Sequence, residues 1–537
     1  MDFSSFVTGT DLRLIAPMAI VASMGVAVLM LEVFHKSDAS RKYIAWMSIL
    51  GLGVAGLDSA YLLMRGAQHE AFGGMLHIDS FALVINLLII LAGILACLAS
   101  PAYLASHRID RGEYYSLLLF SAVGMMTMGA AADLFTMFMG LEMMSIPIYC
   151  LAAFFRHSSR SAESGMKYFI LGAFSSAFLL YGIALIYGMT GTTDLEGIRV
   201  EMAAGGFFVQ GNPVDQLATL PALAMILLIV AFGFKVAAVP FHMWTPDVYE
   251  GAPSSVVSFM STAVKTAGFA ALVRVFVVGF FDQPARLSDT GWLVVFFWLA
   301  ILSMALGNVV AIVQTNVKRM LAYSSIAHAG YLLVGFVAAS HSAENFEGMQ
   351  SVVFYLLAYT FATVGAFAVL AYFGKRGEEC TTFDDLAGIG TRHPGAALAM
   401  TIFMLSSAGI PPTAGFVAKF YVFRAAVMTG STEFVVLAVV GVMLSLAGVY
   451  YYLKLIVSMY MKTARREVTA IGGVEMKMAL VICAAATLFF GIFPSMGLDL
   501  AKTSVHGIIG APPAVKAALA SPAKATVKLE LEPTAEP

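Results

Sequence analysis

The stretch LLIVAFGFKVAAVPFHMWTPDVYEGAP, Leu227 to Pro253, sets a lysine and then a proline inside a run otherwise apolar enough to cross a membrane. Lipid offers backbone N–H and C=O groups no partner, so a spanning segment must be a helix or part of a closed barrel. Pro240 breaks or kinks any helix that contains it. A charge near the bilayer centre costs about 2.5–3.5 kcal/mol on insertion scales, so Lys235 is expected to face protein or internal water. Carbonyls freed by a proline at that depth are tolerated only where protein buries them or water reaches them. A broken helix beside a buried lysine therefore points to a hydrated path.

The rest of the chain has the same character. Of 537 residues, 60% are hydrophobic and 12% charged, far from the roughly 45–50% and 25% of soluble domains. This is the composition of a polytopic membrane protein, and fourteen apolar runs of spanning length can be counted. They lie near 14–34, 43–64, 79–99, 115–130, 132–154, 165–190, 219–241, 254–280, 292–313, 320–340, 351–373, 397–423, 433–460 and 478–499. Barrel alternation is absent, so the spans are expected to be α-helical.

Several function classes drop out. A net charge of −2 with scattered basic clusters gives no nucleic-acid surface. Cys97, Cys150, Cys380 and Cys483 form no C-x-x-C pair, so no zinc, iron–sulfur or disulfide framework is indicated. The GLGVAG at Gly51–Gly56 matches a dinucleotide fingerprint only literally; with no strand before it, it reads as a packed helix surface. The N-terminus lacks a basic region and a cleavage site, so the first run is expected to remain as a span. Lys and Arg are about threefold more abundant in one set of alternate loops, which marks the cytoplasmic side. An even number of spans then places both termini, and the Gly191–Leu217 loop, outside. The stretch from Ala501 to Pro537, rich in Ala, Pro, Lys and Glu, reads as an exposed, unstructured tail.

Four ionisable residues lie deep in apolar runs: Glu142 in LFTMFMGLEMMSIPIYCL, Lys235, Lys265 in VVSFMSTAVKTAGFAALV, and Lys419 in LSSAGIPPTAGFVAKFYVF. The bland alternative is a static pair holding two helices in register, but three lysines cannot share one carboxylate, and such pairs contribute little net stability. Proton or ion handling is the better reading, since burial and a nearby carboxylate push a lysine's proton affinity in opposite directions. His328, beside Ser324 and Ser325, suits a proton relay. His242 follows the first break and is a candidate for the same path. Lys167 is a further candidate, or else snorkels to the surface, and Arg274 reads as interfacial. Pro411 and Pro412 break the twelfth run as Pro240 breaks the seventh, and an offset of five spans makes the two run in opposite directions. That is the pattern of inverted repeats in transporters. SGMKYF at Ser164 and EGMQSV at Glu347 echo each other across the sixth and eleventh runs.

The segments FKVAAVPFHMWTPDVYEGAPSSVVSFMSTAVKTAGFAALVR, VKRMLAYSSIAHAGYLLVG and SSAGIPPTAGFVAKFYVF closely resemble the antiporter-like proton-pumping subunits of respiratory complex I, NADH-quinone oxidoreductase. Among the three such subunits the resemblance is strongest to subunit N, because Lys419 stands where subunit M typically has glutamate and the lateral helix of subunit L is missing. Mrp-type sodium/proton antiporter subunits are relatives and the rival reading. The resemblance implies an all-α protein of about fourteen membrane helices with two inverted five-helix repeats, each with a broken helix. The corresponding division is 1–113 (helices 1–3), 114–281 (first half), 282–462 (second half), 463–500 (helix 14) and 501–537 (tail). It implies that Glu142 and Lys235 pair in the first half-channel, Lys265 is the central relay, Lys419 the terminal site, and that His328 and Lys167 belong to the hydrophilic axis. Protons would move from cytoplasm to periplasm across the inner membrane. NADH, flavin mononucleotide (FMN), iron–sulfur clusters and quinone would sit in other subunits, and the partners would be the neighbouring membrane subunits and the lipid bilayer.

Overall fold

A computed structural model of the chain describes residues 8–34, 40–67, 69–204, 219–280, 291–341, 346–375, 378–464 and 468–506. Every apolar run becomes a helix or a helix interrupted by a break. The first three are α1 (Ala16–Val33), α2 (Lys42–Met64) and α3 (Ser80–Ala99). Then come α4 (Glu113–Ala130), α5 (Leu134–Ala152), α6 (Ser159–Thr190), the broken α7 (α7a Thr219–Val236, α7b Trp244–Gly251) and α8 (Ser254–Gly279). The same order returns with α9 (Trp292–Ile312), α10 (Val317–His341), α11 (Phe346–Tyr372), the broken α12 (α12a Pro394–Ala408, α12b Ala414–Val427) and α13 (Thr432–Met461). A last pair, α14a (Val474–Ile492) and α14b (Ser495–His506), flanks Pro494. Eleven helices among the described residues are long and apolar enough to span a bilayer. Only short strands accompany them: β1 (His69–Ala71) with β2 (Leu76–Ile78), and β3 (Phe373–Lys375) between β4 (Glu378–Glu379) and β5 (Thr469–Ala470).

Two groups of helices repeat the same packing. α4 and α5 approach so closely at Gly124 and Gly140 that a Cβ at Gly124 would collide with the Met144 nitrogen. α9 and α10 do the same at Gly307 and Gly330, where added Cβ atoms would meet the backbone of Ala327 and Met304. The SGM and EGM echo has the same basis, since Gly165 abuts Ala153 at the end of α5 and Gly348 abuts Ala339 in α10. GLGVAG also proves to be helix surface: Gly51 seats Met24 of α1.

α8 and α11 are buried throughout and α10 nearly so, whereas α1, α2 and α14a show broad apolar faces. Exposed side chains such as Leu57, Met443 and Leu446 lie where a bilayer would cover them. α8 departs from α-helical winding in two π-helical turns, Met260–Val264 just before Lys265 and Val273–Gly279 around Arg274.

Two expectations need correction. The helix after Pro494 runs to His506 and buries Ala501, Ser504 and Val505, so the boundary at 501 cuts through an ordered helix. Proline interrupts the span there without ending it. The rest of the tail, 507–537, the end of the Gly191–Leu217 loop and the 281/282 boundary lie outside the described residues. Arg274 lies level with the Asp79 cap where α3 begins, but is not open to the surface: its guanidinium is buried in a two-bond pair with Asp79, at 2.7 and 2.8 Å, and also donates to the Gly129 carbonyl. A buried guanidinium needs this many acceptors to offset its lost hydration.

Candidate functional site

The first break follows from its backbone bonds. Pro240 has no N–H and Ala237 adopts φ +62°, so the helix stops at Val236. The exposed groups find partners inside the protein: Val239 N–H donates to Ser303 Oγ (2.9 Å), and Trp244 Nε1–H donates to the Phe234 carbonyl (3.0 Å). Trp244 is fixed for this by stacking on Tyr168, 4.4 Å between centroids. Lys235 is held next to the break. Its ammonium donates to Ser145 Oγ (2.8 Å) and Tyr149 OH (3.2 Å) of α5.

Glu142 is not paired with Lys235. It lies one turn before Ser145 on α5, half-buried, with Oε1 enclosed and without a hydrogen-bond partner among the described residues. Its neighbours Met139, Met143 and Ile146 are exposed, so the carboxylate borders an outer face of the molecule. Glu142 shares the helix stripe of Ser145 and Tyr149, but the lysine bonds those two, farther along α5, and not Glu142.

The second break solves the same problem with the lysine itself. Gly409, at φ +83°, ends α12a, and its missing Cβ leaves room for the Lys419 chain, whose Cδ would lie 2.9 Å from one. Lys419 reaches back from α12b and donates to the freed carbonyls of Ser407 (2.9 Å) and Ala408 (3.1 Å), and to Ser445 Oγ (2.8 Å). Its ammonium also sits 4.9 Å from the Tyr331 ring centroid. Pro411 and Pro412 lie inside the break, between these carbonyls and Lys419 in sequence.

Between the breaks a line of polar groups crosses the core. Lys265 on α8 donates to Ser325 O (2.5 Å) and Ser325 Oγ (2.7 Å) of α10, and Tyr359 OH donates to the same Oγ (2.9 Å). His328, one turn along α10, lies 5.2 Å from the Tyr359 ring and shares hydrogen bonds with Tyr355 OH at Nδ1 (2.5 Å) and Tyr452 OH at Nε2 (3.1 Å). Tyr452 bonds Ser324 and packs on Tyr451, which donates to Asn308 Oδ1 (3.1 Å). Asn308 Nδ2 donates to Tyr331 OH (2.8 Å), and Tyr331 stands over Lys419. Toward the first break, Gly268, one turn past Lys265, lies against Lys235 and Val236. Lys265, His328 and Lys419 are thus connected through hydroxyls, ring contacts and one amide, while Lys235 meets α8 one turn from Lys265; all four are buried.

Lys167 and His242 stand apart from this line. Lys167 is part-exposed at the edge of α6, bonded to Asp247 (2.8 Å) and Glu163 (2.8 Å). Arg319 of α10 bonds Asp247 (2.8 Å) and Glu250 (3.0 Å) from the other side, around a 180 Å³ pocket that Arg160 also lines. His242 lies half-buried just past Pro240, and its Nδ1 is enclosed without a hydrogen bond among the described residues. The sequence reading missed a second cluster nearby. Lys318, fully buried, donates to Glu379 Oε2 (2.8 Å) and the Ala252 carbonyl (2.6 Å), while Tyr103 OH and Ser254 N–H donate to Glu379 Oε1. Burial alone would raise the Glu379 carboxyl, but the Lys318 ammonium and these hydrogen bonds bring it down to about 2. The cluster ties the end of α7b and the start of α8 to α10.

The comparisons point one way. Residues 131–445 match the family described as "NADH:quinone oxidoreductase/Mrp antiporter, TM". The chain is 47% identical over 500 residues to NADH-quinone oxidoreductase subunit N of Trichlorobacter lovleyi, covering 92% of this chain and 97% of that protein. It is 44% identical over 503 residues to subunit N 1 of Sorangium cellulosum, covering 90% and 97%. Among solved structures, a chain of respiratory complex I from Thermus thermophilus with bound aureothin superposes with a TM-score of 0.73 at 33% identity, over 90% of this chain and 98% of that one. A chain of the Mrp complex from Dietzia sp. shares the fold, with a TM-score of 0.77 at 21% identity over 95% of this chain.

Proposed function

The chain belongs to the NADH:quinone oxidoreductase/Mrp antiporter membrane family and, within it, to the subunit N group, and from that premise we propose that its buried lysines carry protons across the membrane. It is a proton-translocating membrane subunit of NADH-quinone oxidoreductase, working beside the other membrane subunits of that complex. The observation that carries the residue assignment is the run of buried donors and acceptors joining Lys265 to Lys419 through Ser325, Tyr359, His328, Tyr452, Tyr451, Asn308 and Tyr331. Hydroxyls and imidazole can both accept and donate, so they can hand on a proton with small motions and a few waters, while the Asn308 amide orients Tyr451 and Tyr331 and water carries the proton past it.

In this reading protons enter on the basic, cytoplasmic side, where Asp247, Glu250, Lys167 and Arg319 form a charged mouth beside α7b. Lys235 takes the proton at the first break, Lys265 and His328 pass it along, and Lys419 holds it at the second break. Glu142, beside the exposed face of α5, tunes Lys235 through its charge without touching it. His242 lies on the mouth side of the first break. The repeats correspond to 114–281 and 282–462, running in opposite directions, with both termini on the periplasmic side of the inner membrane. The redox groups, NADH, FMN, iron–sulfur clusters and quinone, belong to other subunits.

The rival, a Mrp-type antiporter subunit, shares the family model and the fold, but the Dietzia likeness is 21% identical against 47% to a subunit N. Purification in mild detergent separates the two. The proposal expects this chain to co-purify with NADH-oxidising proteins and Lys235→Met to lower the protons moved per NADH; co-purification with sodium/proton antiporter subunits would overturn it.

A further inference from the structure

A groove of 630 Å³ runs down the outside of the second half between α12a and α14a. Both helices begin at the same end of the bundle, where β3 pairs with β5 and the basic loops lie. At that end Arg392, His393 and Lys477 line the groove, and no carboxylate lines it among the described residues. His393 is committed to the fold, with Nε2 3.4 Å from the Val468 carbonyl oxygen and its ring centroid 5.2 Å from that of Phe373. Arg392 and Lys477 are exposed, on long and flexible stems. Below them the walls are apolar: Leu398 and Ile402 from α12a, and Leu480, Val481 and Leu488 from α14a. Lys477 and Leu488 are eleven residues apart, about 16.5 Å of helix rise, close to half of a hydrocarbon core about 30 Å thick. The groove is therefore about one leaflet deep, and Gly395 keeps its charged end open, with nothing within 4 Å of the Cβ it lacks. The groove between α12b and α13 is as apolar but offers no such charge: Lys419 in its wall already donates to three oxygens, and Arg424 is paired with Glu347 at 3.2 Å.

We propose that the groove between α12a and α14a binds one anionic phospholipid, its phosphate held by Arg392 and Lys477 and one acyl chain lying between the two helices. A small soluble anion would leave the apolar walls uncovered, and an apolar helix of a neighbouring subunit would leave two cations without a counter-charge. A lipid with a negative headgroup meets both needs. Its chain packs on α12a, whose Ser407 and Ala408 carbonyls hold Lys419, so the lipid also braces the second break. The site stands apart from the proposed proton path; only its leaflet, the cytoplasmic one, rests on the orientation proposed above.

The test uses the whole complex in phosphatidylcholine nanodiscs doped with a photoactivatable phosphatidylglycerol, with the cross-linked peptides mapped by mass spectrometry. The expected result is labelling within 394–402 and 477–488 that unlabelled phosphatidylglycerol suppresses and added phosphatidylcholine does not. Arg392→Gln combined with Lys477→Gln should weaken that competition about 30-fold, the product of two basic contacts to the headgroup. Arg424→Gln, in the other groove, should leave it unchanged, and the charge-keeping Arg392→Lys should retain most of it, which separates a lost charge from a lost fold. Equal labelling by a photoactivatable phosphatidylcholine, or competition unaffected by the double replacement, would make the occupant ordinary boundary lipid and overturn the inference. Suppression by inorganic phosphate as effective as by phosphatidylglycerol would reduce the site to an anion patch and overturn it too. So would a lysine-to-carboxylate cross-link from Lys477 to another subunit with no lipid label on this face, since protein would then cover the groove.

Discussion

Replacing Lys265 with methionine separates a proton carrier from a helix brace. The substitution keeps the stem length and removes the charge. In the wild type the ammonium makes two bonds to Ser325, at 2.5 and 2.7 Å. Hydrogen bonds to charged groups are worth about 1.5–3 kcal/mol each, so Lys265→Met forfeits about 3–6 kcal/mol. It also relieves the cost of holding a charge at membrane depth, about 2.5–3.5 kcal/mol. Ser325 Oγ keeps the Tyr359 hydroxyl as a donor, so it is not orphaned. The net change is then between about −0.5 and +3.5 kcal/mol, small for a bundle of this size. The assay compares assembled complex and its thermal stability with protons moved per NADH in proteoliposomes. The expected outcome is near-normal assembly with proton transport through this subunit lost. Full transport by Lys265→Met, or a loss that merely tracks failed assembly, would refute the reasoning.

Other perturbations probe the supports. Trp244→Phe keeps the stack on Tyr168 but leaves the Phe234 carbonyl with only the Ala237 N–H, and should cost about 0.5–1.5 kcal/mol, read as faster hydrogen exchange across residues 237–239. Asp79→Ala strands the buried Arg274 and is expected to cost about 3–5 kcal/mol in thermal stability, whereas the double replacement Asp79→Leu with Arg274→Met should recover most of it. Glu379 gives a pH signature. Its folded-state value is lowered from 4.5 to about 2, so its contribution, roughly 3 kcal/mol, is complete above pH 4.5 and fades as pH falls toward 2. A melting temperature measured over that window should fall less in Glu379→Gln than in the wild type, because the glutamine has no proton to take up. Gly415→Ala puts a Cβ into the Ser406 carbonyl, and the displaced α12 break should lower assembly of the complex sharply.

What could be read from the residues was whatever depends on composition along one segment. Fourteen apolar runs announce the helices and broken helices, eleven of them long and apolar enough to span among the described residues, and Pro240 and Pro411 announce the breaks, because both signals are local. Lys235, Lys265, Lys419 and His328 stood out because ionisable groups inside such runs are costly. Their partners did not stand out. Ser145 and Tyr149 serve Lys235 from about 90 residues away, and Lys419 is held largely by the backbone carbonyls of Ser407 and Ala408, which carry no side-chain signal. Tyr331, Tyr355, Tyr359 and Tyr452 had a usable clue, since a hydroxyl in an apolar span must find a partner. Arg274 with Asp79, 195 residues apart, and Lys318 with Glu379, 61 apart, are visible only once the helices pack. Glu142 went the other way: its type suggested a partner for Lys235, yet the lysine bonds Ser145 and Tyr149 farther along the same helix stripe.

The continuity of the path through α10 is the claim on which the account turns. His328→Phe keeps a ring among Tyr331, Tyr355 and Tyr359 while removing both nitrogens and leaving Lys235, Lys265 and Lys419 in place. The count of protons moved per NADH by the reconstituted complex carrying this one change is predicted to fall to the level of Lys419→Ala. A count equal to the wild type, with the complex fully assembled, would contradict a route from Lys265 to Lys419 through His328.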